Sequence, residues 1–169
     1  MSHLNIDKEL QTIRQQVVNC YALPIIKTAF NKFSKLNSAY LSFTNHIDDW
    51  GVDRIDDFIL YSVLYTPDWK AFSESSNQDE NYLQEDPLNL PGFEECHYYI
   101  TYDLWDEIEK DFDFDYYEAT SKKIIAAFSP FCEYTYRNMS FAEAYTPYAL
   151  FTRNNEEIKI EFVGKILSL

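Results

Sequence analysis

Tyr148-Ala149-Leu150-Phe151-Thr152-Arg153-Asn154-Asn155-Glu156-Glu157-Ile158-Lys159-Ile160-Glu161-Phe162-Val163 is the stretch whose reading decides the fold. Ile158, Ile160 and Phe162 alternate with Lys159 and Glu161, the period-two pattern of a strand with one face in a core. The polar residues 153–157 separate this run from the apolar run before it. The two runs are therefore predicted to fold back on each other as an antiparallel hairpin.

A hairpin needs something to bury its apolar face, and the beginning of the chain offers it. Ile6, Leu10, Ile13, Val17, Tyr21, Ile25, Ala29, Phe33 and Leu36 recur at spacings of three and four, so residues 5–36 are predicted to be helical with one core face. Asn5 is placed to cap the start, and Asp7 suits the positive end of the helix dipole. Pro24 lacks a backbone donor and disfavours helix at the residue before it, so a kink or a junction of two helices is expected there.

Between these ends, residues 37–50 mix Asn, Ser, Thr and Asp with aromatics and read as a connection with a short element. Residues 52–65 read as a helical turn (Val52, Ile55, Phe58, Ile59) running into a buried strand (Phe58-Ile59-Leu60-Tyr61-Ser62-Val63-Leu64-Tyr65). Residues 66–93 are polar and acidic and carry Pro67, Pro87, Pro91 and Gly92, the composition of a long loop. His97 to Tyr102 read as a strand, 104–111 as a helical turn and 117–128 as a helix stopped by Ser129-Pro130. Ser140 and Glu143 have capping-box spacing. The predicted fold class is α+β: an N-terminal helical layer against a mostly antiparallel sheet, in a single domain spanning 1–169, a size at which one core suffices without disulfides.

Thirty of the 169 residues are aromatic, which argues against disorder. The formal net charge of −14 argues against direct nucleic-acid binding and against an anionic membrane surface, both of which need clustered Lys and Arg. No apolar stretch is long enough to span a bilayer. Cys20, Cys96 and Cys132 are odd in number and far apart. They read as small core residues and form no Cys-x-x-Cys zinc pair. Met1-Ser2-His3-Leu4-Asn5-Ile6-Asp7 lacks a basic-then-apolar export pattern, so a cytoplasmic setting with reduced thiols is expected.

The charge is unevenly distributed. Residues 46–118 hold 21 acids and three bases (Arg54, Lys70, Lys110), a net −18; the other 96 residues hold seven acids and 11 bases, a net +4. The densest part is 103–118, where Asp103, Asp106, Glu107, Glu109, Asp111, Asp113, Asp115 and Glu118 face a single Lys110. Trp105, Phe112, Phe114, Tyr116 and Tyr117 lie among them. Asp111-Phe112-Asp113-Phe114-Asp115-Tyr116 alternates strictly; if extended, it places three carboxylates on one face about 6.6 Å apart and three rings on the other. A cationic partner would relieve that repulsion, and an anionic rim around aromatic anchors is how protein interfaces are built. Asp103, Trp105, Asp106, Glu107, Glu109, Asp111, Asp113, Asp115 and Glu118 are therefore the candidate partner-binding residues, with Trp105 as anchor.

Catalytic signatures are few. Three glycines (Gly51, Gly92, Gly164) exclude a Walker loop and a dinucleotide fingerprint. Cys96 and His97 are adjacent and in a strand would point to opposite faces, so they are no nucleophile–base pair. His46 with Asp48, Asp49, Asp53, Asp56 and Asp57 would make a divalent-metal cluster if helical, the basis of an alternative reading as a metal-dependent enzyme. No cofactor is expected otherwise.

The run 58–68, ending in Thr66-Pro67-Asp68, followed by Ser73-Glu74-Ser75-Ser76-Asn77 and by the closing segment 148–162 with Arg153-Asn154-Asn155, resembles small acidic immunity proteins of bacterial toxin systems. The resemblance implies a cytoplasmic antitoxin that blocks a cognate basic toxin, usually a nuclease, and it assigns no site residue. The expected function is a non-catalytic acidic binding protein for a basic protein partner; the alternatives are the metal enzyme above and an adaptor subunit of a larger complex.

Overall fold

The computed structural model describes residues 3–47, 51–69, 72, 98–101, 104–108, 111–112, 121–132 and 145–167. Helix α1 (His3–Gln16) leads into a π-helical segment (Val17–Ala22) and then α2 (Leu23–Lys32). Two long strands follow, β1 (Ser38–Ile47) and β2 (Asp53–Ser62), then β3 (Tyr98–Thr101), α3 (Leu104–Ile108), α4 (Lys122–Phe128), a 3₁₀ turn (Ser129–Phe131), β4 (Thr146–Asn154) and β5 (Glu157–Phe162). The five strands form one sheet in the order β3-β2-β1-β4-β5, with every pair antiparallel. The helices lie on one face, which gives the predicted α+β class in a single domain.

The helical run is continuous but not uniform. Val17 and Ala22 are both buried five residues apart, where an α-helix would bury positions three or four apart. The Leu23 amide donates to the Val18 carbonyl, five residues back. This one-residue widening sits directly before Pro24, whose ring would otherwise press on the carbonyl four positions earlier. It also moves the core face: Ala22 and Ile26 are buried where Tyr21 and Ile25 were expected. Cys20 lies in this segment and is exposed, which corrects its reading as a core residue.

Residues 38–47 are the central strand of the sheet rather than a connection. Ala39, Leu41 and Phe43 are buried toward the helices, and Ser38, Tyr40, Ser42 and Thr44 face the other side. The Ser and Thr that read as loop composition are the alternate face of a strand covered on both sides. β2 is likewise a strand over its whole length, with no helical turn at 52–58. Its Ile55, Ile59 and Tyr61 join the helix-side core. Phe58 and Leu60 join a second apolar cluster on the opposite face, with Phe72, Ile100 and Tyr145. Trp69 stacks on Phe58 there (centroids 5.7 Å, 27°).

α4 starts at Lys122, later than the predicted 117. Ser121 is extended (φ −71, ψ 134), and its side chain accepts from the Lys123 amide at 3.2 Å as the N-cap. Ser129-Pro130 ends the helix as expected. Ile124, Ala127 and Phe128 face the sheet, where Phe128 stacks on Phe43 at 4.1 Å.

The closing hairpin forms, with a turn of only two residues. Asn154 pairs with Glu157, and Asn155 takes the left-handed conformation (φ 55) that asparagine tolerates. The ladder between β1 and β4 skips one residue, Tyr148, a bulge that turns its ring onto Phe43, Phe128 and Phe131. β5 is at the edge of the sheet, so its apolar face is only partly covered: Ile158 and Ile160 are half-buried and Phe162 is 55% exposed. The face predicted to be buried is thus only partly covered along β5. The loop predicted at 66–93, the capping box at Ser140 and the strand residues His97 and Tyr102 lie largely or wholly outside the described residues.

Candidate functional site

The sheet order separates β2 and β3 from β4 and β5. The acidic segment 46–118 supplies β2, β3 and α3, with both strands on one side of β1. β4 and β5 lie on the other side of β1, and their own charges, Arg153 and Lys159 against Glu157 and Glu161, balance.

α3 is short, and its inward residues Leu104 and Ile108 are completely buried. Asp111 and Phe112 form the turn that follows, both amides donating to the Ile108 carbonyl (3.0 and 3.2 Å). The predicted alternating extension is therefore broken at its first two residues. The Phe112 ring leans against Tyr21 (centroids 6.2 Å), and the Tyr21 hydroxyl donates to the Asp111 carboxylate. That hydrogen bond, together with partial burial, pushes the Tyr21 phenol above its ordinary pKa. Asp111 is thus exposed but tethered to the π-helical segment. Glu107 is exposed on α3.

Trp105 is half-buried, packed against the helix-side core with its ring 6.1 Å from Phe43. Part of the ring is committed to the fold and part of it stays exposed. Asp106 lies in α3, and nothing is described of its side chain. Asp103, Glu109, Asp113, Asp115 and Glu118 lie outside the described residues.

The His46 cluster is rearranged by the strand geometry. His46 and Arg54 are directly paired across β1 and β2, and His46 Nδ1 lies 3.4 Å from Asp56 Oδ2, one step along the same face. Strand alternation turns Asp53 and Asp57 to the opposite face, and Asp57 is only 2% exposed. A helix would have gathered these carboxylates; the hairpin divides them. Among the described residues no group of three or more His, Cys, Asp or Glu side chains is placed to hold a metal ion; Asp48 and Asp49 lie outside them. Partial desolvation raises the Asp56 carboxyl above its ordinary pKa, opposed by the nearby His46 and Arg54. The polar trio His46, Arg54 and Asp56 was missed in the sequence because it depends on pairing between two strands. Its signal was the alternation Ser38, Tyr40, Ser42, Thr44, His46.

Arg153 is fully engaged in structure. Its Nε donates to the Leu36 carbonyl at 2.9 Å, and its Nη2 to the carbonyls of Phe30 (2.6 Å) and Phe33 (3.3 Å). The guanidinium lies 4.9 Å over the Phe30 ring. It closes the C-terminal end of α2, where carbonyls lack intrahelical partners. A cleft of about 240 Å³ beside it is lined by Lys27, Asn31, Arg153, Asn155, Glu156 and Glu157, among others.

Comparison with protein-family models, with characterised proteins and with solved structures returned no match. Among the described residues no helix is long and apolar enough to cross a membrane.

Proposed function

We propose that this chain is a non-catalytic binding protein that neutralises a basic protein partner, acting in a bacterial cytoplasm as an immunity protein for a nuclease-type toxin. The observation that carries the reading is the segregation of charge along the chain: a net −18 over residues 46–118 against +4 in the remainder, with β2 and β3 of that segment on one side of β1. Negative charge of this density speeds encounter with a cationic surface, and a nuclease must present one to hold phosphates. Exposed Glu107 and Asp111 at the end of α3 would meet it first, supported by the acids on either side of them in sequence.

Affinity capture from the source cell, with mass spectrometry of the captured protein, identifies the partner. Association kinetics with that partner at two ionic strengths then test the reading. Replacing Glu107, Asp113 and Asp115 by Lys should slow association and flatten its salt dependence, with little change in dissociation. Asp111 is left intact because its contact with Tyr21 would confound the result. Unchanged kinetics, or capture of an acidic partner, would refute the proposal.

A further inference from the structure

β5 ends the sheet: among the described residues no strand pairs with its outer edge. Two hydrogen bonds fix which of its backbone groups face outward. The Arg153 amide donates to Asn37, on the β1 side, and the Val163 amide donates to the Tyr148 carbonyl. In the β4–β5 register, residues 157, 159, 161 and 163 therefore spend their backbone groups on β4. Those of Ile158, Ile160 and Phe162 point to the open edge.

Open strand edges are usually blunted by bulges, prolines or inward-pointing charges. β5 has no bulge, proline or inward-pointing charge; the charged side chains that also guard strand edges are present on it as Lys159 and Glu161. Lys159 and Glu161 stand on one face, 66% and 59% exposed, and Ile158, Ile160 and the exposed Phe162 on the other.

The strand is also complementary to itself. Two copies set antiparallel about a two-fold axis at Ile160 place Ile160 opposite Ile160 and Ile158 opposite Phe162. Lys159 of one copy then stands opposite Glu161 of the other, twice. This register uses the residues whose backbone groups face outward as its hydrogen-bonded pairs. The Lys–Glu positions become the non-hydrogen-bonded pairs, where side chains stand closest. A shift by two residues either way would oppose like charges or leave Phe162 unmatched.

From hydrogen-bond parity, charge and apolar pattern together, we infer that β5 is a homodimerisation edge, joining two copies of this chain into one continuous ten-stranded sheet. The isologous contact closes on itself and leaves no further open edge at β5. The acids that β2 carries, Asp53, Asp56 and Asp57, oppose it little, because β2 lies three strands from β5. The two β2 strands would be seven strand spacings apart, about 34 Å, well beyond the screening length at physiological salt. A six-residue strand pair is smaller than a standard interface, so the dimer is a weak and concentration-dependent one.

Sedimentation equilibrium of the full chain from micromolar to millimolar concentration should show twice the 20.1 kDa chain mass at the upper end. Lys159→Glu and Glu161→Lys, both at exposed positions, should each weaken self-association by about tenfold or more, because like charges then face each other twice. An equimolar mixture of the two variants should associate at least as tightly as the wild type, since opposite charges again face across the axis. A wild-type chain that remains monomeric at millimolar concentration overturns the inference. So does a dimer that either single variant leaves unchanged, or a mixture no tighter than the variants alone.

Discussion

Replacing Arg153 by Ala removes the group that holds the end of α2 against β4. Its contacts at 2.6 and 2.9 Å are charge-assisted hydrogen bonds, each contributing about 1.5 kcal/mol at the lower end of the usual range. The 3.3 Å contact to Phe33 is too long to add much. Stacking over Phe30 at 4.9 Å adds about 0.5–1 kcal/mol. Water entering these part-buried contacts once the side chain is gone offsets part of the loss, which leaves about 3 kcal/mol. Lys at this position keeps the charge but not the fork that reaches separate carbonyls, so Arg153→Lys should lose about half as much. Urea unfolding followed by tryptophan fluorescence reads both. With a slope of about 2 kcal/mol/M, the Ala variant's midpoint should fall by about 1.5 M without a change in slope. A loss below about 1 kcal/mol for Arg153→Ala, or equal losses for Ala and Lys, would refute the assignment of a structural clasp.

Asp56→Asn should gain stability relative to wild type as pH rises. A carboxyl whose pKa is raised on folding contributes stability that is present at acid pH and lost as pH climbs through the folded-state value; urea midpoints at pH 3 and pH 7 check the sign, and the opposite slope would mean that His46 and Arg54 outweigh desolvation. Cys132 donates to the Phe128 carbonyl, and burial pushes its thiol up to about 12, so at pH 8 it should resist a thiol reagent that modifies exposed Cys20, as peptide mapping of the labelled protein would show. Its folded-state value lies above that of the unfolded thiol, so its contribution to stability should decline between about pH 9 and pH 12. Trp105→Ala should cost about 2–3 kcal/mol of fold stability, measured by thermal unfolding, because the ring packs on Phe43; a variant as stable as wild type but with faster partner dissociation would place Trp105 in the role of anchor instead.

The parts of this fold that were legible in the sequence are those whose period is local. Ile158, Ile160 and Phe162 announce β5, and Ile13, Val17 and Ile124, Phe128 announce helix faces, because spacing along the chain alone places them. β1 was hidden by composition: Ser38, Ser42 and Thr44 look like loop residues unless their alternation with Ala39, Leu41 and Phe43 is given priority. β2 was obscured because Val52, Ile55, Phe58 and Ile59 satisfy helical spacing by coincidence, and only pairing with β1 along ten residues decides between the two. The same misreading gathered His46, Asp53 and Asp57 into a cluster that the hairpin divides. The charge segregation was fully visible in the sequence, since it needs only a count. The placement of β2 and β3 on one side of β1 was not, because strand order is set by long-range pairing. The contacts of Trp105 with Phe43 and of Asp111 with Tyr21 were not legible, because they join residues far apart in the chain.

The π-helical segment makes chain length negotiable at one place in the N-terminal helix. Loss of a residue from an α-helix ordinarily turns everything beyond it by about 100°, enough to swing a buried face into water. Between Val17 and Ala22 the backbone already carries one residue more than α geometry needs. Removing exposed Asn19 would bring Val17, Ala22, Ile26, Ala29, Phe30 and Phe33 to the three- and four-residue spacings of an unbroken helix, about 1.5 Å shorter, with the same side chains still against the sheet. Pro24 would then press on a helix with no widened turn to receive it. The insertion and the proline are therefore a matched pair, each of which makes the other tolerable.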